Sequence, residues 1–233
     1  MSKNIIITGV GPGIGSSLAT YLNSKGYNMS LSSMGDSVKK LAEQLHCDYY
    51  QCNLKNINEA NEMVDVFIEK YKTIDAIVNV AGNYFSMERI ENVSSADFDS
   101  ALLNNAKTFY NISKAVVPHL KKQKYGNIIG FSAAENVYLN GSIGYSAGKG
   151  AVYFMVKSLA RELLDYNIKV NGIAPGFIDK SKHEYQNEPL LYKGRYSSED
   201  INKTVEFLIN NNMVTGEILR VAGGHNIKID SGI

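Results

Sequence analysis

"NIIITGVGPGIGSSLATYL", residues 4–22, decides the fold. Asn4–Thr8 is short, apolar and rich in isoleucine, as a strand buried on both faces requires. From Gly9 to Gly15 every second residue is glycine. Glycine tolerates positive φ and lets the backbone approach a ligand closely. Leu18 and Leu22 then open a helical period. In this order the helix N-terminus offers its N–H groups and positive dipole end to a pyrophosphate. A glycine motif alone is weak evidence, and a merely tight turn is the bland reading. The strand before it and the helix after it are what a dinucleotide site needs.

The alternation continues along the chain. Strands are expected at 27–33, 48–54, 74–82, 126–132 and 168–176, and within "EILRVAGG", 217–224. Helices are expected at 37–45, 57–71, roughly 97–123, 144–165 and near 198–210. Such a pattern predicts an α/β fold: one doubly wound, Rossmann-like parallel sheet of about seven strands, with helices on both faces. No linker or repeat interrupts it, so 1–233 reads as a single domain. The long irregular piece 177–196 reads as a substrate lid.

Bulk properties narrow the function class. Hydrophobic residues make up 44% and charged residues 20%, which suits a soluble globular protein. The formal charge of +1 supplies no field for nucleic acid or an anionic membrane. No apolar run approaches the roughly 20 residues of a membrane helix, and "NIIITGVG" meets glycines rather than a cleavage site. Cys47 and Cys52 match neither a CxxC nor a zinc spacing, so no metal is expected and a cytoplasmic setting fits.

The chemistry concentrates in "FSAAENVYLNGSIGYSAGK", residues 131–149. Tyr145 and Lys149 are four apart, on one helix face. A phenol is a poor base at neutral pH, but a neighbouring ammonium favours the phenolate. The pair can therefore give or take a proton at a carbonyl or alcohol oxygen. An isolated YxxxK is more often an aromatic anchor with a solvated lysine, and only its company here lifts it above that.

That company resembles the short-chain dehydrogenase/reductase family over essentially the whole chain. The pieces are "TGVGPGIG" (8–15), "NVAG" (79–82), "FDSALLNNAKTFY" (98–110), "YSAGK" (145–149), "VNGIAPGFID" (170–179) and the segment 194–224. The likeness extends to beta-ketoacyl-carrier-protein reductase-like and sugar dehydrogenase-like members. It implies an NAD(P)(H)-dependent oxidoreductase that interconverts a carbonyl and a secondary alcohol, with a small-molecule substrate. The same resemblance implies that Tyr145 is the acid/base and that Lys149 also grips the nicotinamide ribose. Asn105 would hold a relay water, with Asn104 turned elsewhere. Cofactor contacts would come from Gly9, Gly11, Gly13, Ile14, Gly15, Ser32 and Ser33. Further along the chain they would come from Asn53, Leu54, Asn79, Ala81, Gly82, Pro175, Gly176 and Ile178. Family members are commonly dimers or tetramers through the two long helices. The alternative from another class is a non-catalytic dinucleotide-binding sensor or scaffold.

Two departures stand out. The substrate-orienting serine lies thirteen residues before the tyrosine in the family, which selects Ser132. Counting forward from Gly126 along "GNIIGFSA" instead places it on Ala133, and Ser132 is favoured as the only hydroxyl of the two. At the end of the second strand stand Ser33 and Met34, neither the acid that selects NAD nor the arginine that selects NADP. Ser32, Ser33 and backbone near Gly35 can accept a phosphate, so NADP(H) is favoured over NAD(H), with Asp36 as the rival selector. Asn83, Tyr84, Glu135, Asn136, Tyr138, Ser181, His183 and Tyr185 are candidates for the substrate side.

Overall fold

The computed structural model describes residues 2–82, 87–177 and 197–224. The first half runs β1 (Asn4–Thr8), α1 (Ile14–Ser24), β2 (Asn28–Ser33), α2 (Ser37–Leu45), β3 (Asp48–Gln51), α3 (Ile57–Tyr71) and β4 (Ala76–Asn79). Next come α4 (Ser95–Leu102), a π-helical turn (Leu103–Lys107), α5 (Thr108–Gln123) and β5 (Gly126–Phe131). The remainder is α6 (Glu135–Tyr138), α7 (Ile143–Leu163), β6 (Ile168–Pro175), α8 (Ser198–Asn210) and β7 (Ile218–Val221).

The strands form one sheet in the order β3-β2-β1-β4-β5-β6-β7. Every pairing is parallel, from Asn4 opposite Asn28 to Pro175 opposite Val221. The order reverses between β1 and β4, and their C-terminal ends open a crevice there. Side chains alternate between two cores, as the period of a strand demands. Ile6, Ile77 and Ile128 pack with Phe67 of α3 and Phe109, Ile112 and Val116 of α5. Ile5, Ile7, Val78 and Ile129 pack with Leu18 and Leu22 of α1 and Ile201 and Val205 of α8. Because both faces are covered, β1 reads as an unbroken apolar run.

Three expected elements differ in extent. β3 stops at Gln51 rather than 54, because Asn53 Oδ1 accepts from Lys55 N at 3.2 Å and turns the chain off the sheet. β4 is the four-residue Ala76–Asn79, shorter than 74–82. The helix expected at 97–123 is split by the π turn around Asn105.

Candidate active site

β1 ends at Thr8, and Gly9 turns the chain with φ of 72°. A Cβ on Gly9 would lie 2.3 Å from Ala81 N, so only glycine lets the end of β4 pass beside the turn. Gly11 and Gly13 serve differently. A Cβ on either meets no protein atom within 4 Å, and both line a cavity of about 810 Å³. Side chains there would fill the cavity itself. This is the cradle of bare backbone beside a helix start that a pyrophosphate requires.

Most of the expected cofactor contacts come together around that cavity. Ile14 and Gly15 of α1, Ser32 and Ser33 of β2, and Asn53 and Leu54 after β3 all line it. Gly9, Ala81 and Gly82 line its inner side. Asn79 does not. Its Oδ1 accepts from Thr8 Oγ1 at 2.6 Å, so the buried side chain ties β4 to β1. Pro175 and Gly176 belong to the β6–β7 junction, where Gly176 N donates to Val221 O at 3.0 Å, and neither borders the cavity. Ile178, the lid beyond Phe177, and Asn83, Tyr84, Ser181, His183 and Tyr185 lie outside the described residues.

Sequence reasoning missed several wall residues. Met34 and Lys55 adjoin legible positions, and their neighbours were the available signal. Thr108, Ser197 and Ser198 reach the cavity from remote segments, with no local signal. Asn104 also lines it, although the motif had turned it elsewhere. Cys52 is a wall residue whose buried thiol is pushed up to about 12. Asp36 is outside the wall, and its Oδ1 accepts from Gln51 Nε2 at 2.8 Å.

Gly82, a wall residue of the cavity, also stands beside Lys149. Ser142 caps α7 by accepting from Tyr145 N at 3.4 Å, which sets Tyr145 in the first turn. Lys149 follows one turn later, its Nζ 5.9 Å from the centre of the Tyr145 ring. Both side chains are buried, at 6% exposure each. Lys149 Nζ donates to Phe131 O at 3.0 Å. Burial lowers the lysine from its ordinary 10.5 to about 8. The π turn delivers Asn105 to the same place: its Nδ2 donates to Ala101 O at 2.9 Å, and a Cβ on Gly82 would meet Asn105 Oδ1 and Lys149 Nζ. Irregular turns of this kind gather at functional sites.

Ser132 is engaged differently from expectation. Its Oγ donates to the backbone O of Lys149 at 3.0 Å. Ala133 joins Val137 and Tyr145 in a small buried cluster. Ser132 and Ala133 also border a second cavity of about 300 Å³ that Tyr145 does not line. At its rim Arg220 Nε holds Glu135 through both carboxylate oxygens, at 2.8 and 3.0 Å. Of the other substrate-side candidates, Tyr138 lines this cavity, whereas Asn136 borders neither.

No helix among the described residues is long and apolar enough to cross a membrane. The short chain dehydrogenase family model matches residues 3–189. The chain is 31% identical to the 3-oxoacyl-[acyl-carrier-protein] reductase FabG of Thermotoga maritima, over 95% of this chain and 97% of that protein. Against the FabG of Rickettsia typhi it is 32% identical, over 95% and 96%. The solved structure of ElxO with NADP bound superposes with a TM-score of 0.86 at 25% identity, covering 98% of this chain and all of that one. A tyrosine-to-phenylalanine variant of ElxO with NADPH bound gives 0.85, also at 25% identity.

Proposed function

This chain belongs to the short chain dehydrogenase family and is an NAD(P)-dependent oxidoreductase, and we propose that it reduces a small-molecule carbonyl with NADPH, Tyr145 giving the proton. The observation that carries this reading is the placement of Lys149 Nζ beside Gly82, a wall residue of the glycine-lined cavity, with the centre of the Tyr145 ring 5.9 Å from that Nζ.

The cradle fits a dinucleotide, since bare backbone at Gly11 and Gly13 leaves room for phosphates. Ser33 would bind the 2′-phosphate at the end of β2, and Leu54 would flank the adenine. When bound, the nicotinamide supplies the hydride. Tyr145 donates its proton to the carbonyl oxygen as charge develops there. The Lys149 ammonium stabilises the phenolate left behind, strongly because the surroundings are dry. The carbonyl of Phe131 keeps Lys149 in place, and Asn105, whose Oδ1 lies beside Gly82 as Lys149 Nζ does, would hold the water that returns a proton. A 3-oxoacyl thioester is the first substrate class to test, given the named relatives.

The assembly is proposed as a homodimer or homotetramer through α5 and α7, where Tyr110 and Phe154 are exposed. A reducing cytoplasm suits the free Cys47 and Cys52. Fluorescence titration with NADPH and NADH, followed by NADPH oxidation with acetoacetyl-CoA, tests the function. NADPH is expected to bind the more tightly, and Tyr145→Phe to keep binding while losing turnover. Turnover retained in Tyr145→Phe would overturn the assignment of the proton donor. Binding with no turnover on any carbonyl would favour the sensor reading instead.

A further inference from the structure

Residues 131 and 132 hold Lys149 at both ends. The Phe131 carbonyl accepts from its Nζ at 3.0 Å, and Ser132 Oγ donates to its backbone carbonyl at 3.0 Å. Both bonds are buried, where an unmade hydrogen bond is most costly. The result is a cross-link between the end of β5 and the second turn of α7. Ser132 N is itself pinned, donating to Ile173 O at 2.9 Å on β6. With Ser132 turned to the α7 backbone, Ala133 is the neighbour that packs with Tyr145 and Val137.

We propose that Ser132 is a positioning residue that acts through Lys149, and that the substrate-side position beside Tyr145 belongs to Ala133, so the substrate oxygen is met by Tyr145 without a serine. This inference rests on the reading of Tyr145 as proton donor and adds how the site is held. A helix carbonyl bonded by a buried hydroxyl fixes the axial position of Lys149, and with it the height of Nζ against Gly82 and Asn105. Burial is the cause of the low lysine value, and Tyr145 is the titratable ring packed near Nζ among the described residues. Loosening the cross-link lets water reach the amine and moves its titration up toward that of an ordinary lysine.

The test uses the full chain and three variants: Ser132→Ala, Ser132→Thr and Ala133→Ser. Three quantities are measured: Lys149 titration in the cofactor-free protein by lysine side-chain NMR, NADPH affinity by fluorescence, and kcat and KM with NADPH and acetoacetyl-CoA. Ser132→Ala is expected to raise the Lys149 midpoint and weaken NADPH, with kcat falling less than about tenfold. Ser132→Thr restores all three. Ala133→Ser raises kcat/KM about tenfold or more, because a second donor then reaches the oxygen. The proposal is overturned if Ser132→Ala leaves titration and NADPH affinity unchanged while kcat falls by about 10² or more, the signature of a lost substrate donor. If the native chain turns nothing over, the functional reading fails, while the NMR titration still decides the role of Ser132.

Discussion

Gly82 stands so close to Asn105 that a Cβ on it would lie 2.5 Å from Asn105 Oδ1, and 2.9 Å from Lys149 Nζ. Its φ of 156° adds strain for any larger residue. Gly82→Ala is therefore expected to displace both polar groups together. Misplacement on the order of 1 Å costs about 10²-fold in rate. Steady-state kinetics beside a thermal melt checks this: kcat falls by that order, and the loss of Tm is small by comparison because both displaced atoms end flexible side chains.

The Lys149 ammonium is buried at a price in stability. Its folded value of about 8 lies below the ordinary 10.5, so the unfolded chain binds more protons between those limits. Stability consequently rises as pH climbs from about 8 to 10.5, through relief of that burden. Lys149→Met is expected to stabilise the cofactor-free protein by about 1–3 kcal/mol at pH 7 and to flatten this rise. The same change weakens NADPH binding. Urea denaturation across the pH range measures the first effect. A Met variant less stable than the native chain at neutral pH would contradict it.

Selection at the adenosine end is expected to rest on Ser33, which lines the cavity where Asp36 does not. Ser33→Asp places a carboxylate at the end of β2, where it repels a 2′-phosphate. Like-charge contacts cost several kcal/mol, so NADPH affinity should drop by about 10² while NADH is held or improved. Parallel fluorescence titrations give the ratio directly.

The fork between Arg220 and Glu135 ties the start of α6 to β7. The hydrogen bonds from Arg220 lower Glu135 below its usual 4.5. Stability from this pair is thus present above that value and lost as pH falls through the lower, folded one. The guanidinium side chain is 41% exposed, which screens the pair. Arg220→Gln should cost roughly 0.5–1 kcal/mol at neutral pH and almost nothing in acid. A double-mutant cycle with Glu135→Gln at both pH values separates the pair from general loosening.

The close crossing of α7 over the π turn depends on Gly148, whose Cβ would lie 3.0 Å from Asn105 Cβ and 3.1 Å from Ala101 O. Gly148→Val is expected to destabilise by about 1–3 kcal/mol through overpacking, despite leaving glycine behind in a helix. Chemical denaturation reports the loss, and NADPH turnover should fall with it because Asn105 is what moves.

Much of this protein is written in short stretches of its chain. The apolar run of β1, the alternating glycines after it and the four-residue step from Tyr145 to Lys149 each encode geometry within one or two turns of backbone. Local periodicity also sufficed for α2, α3 and α8, whose bounds match the expected 37–45, 57–71 and 198–210. Tertiary structure alone decided the rest. That Ser132 bonds the Lys149 carbonyl while Ala133 packs with Tyr145 is set by how α7 lies against the end of β5, which no local spacing encodes. Asn79 carries a motif residue into a bond with Thr8 because β4 lies against β1. Thr108 and Ser198, the first residues of α5 and α8, line one cavity although they lie far apart in the chain. Spacing within one element is fixed by covalent geometry, whereas the direction of a side chain between elements is settled by whichever neighbours packing brings to it.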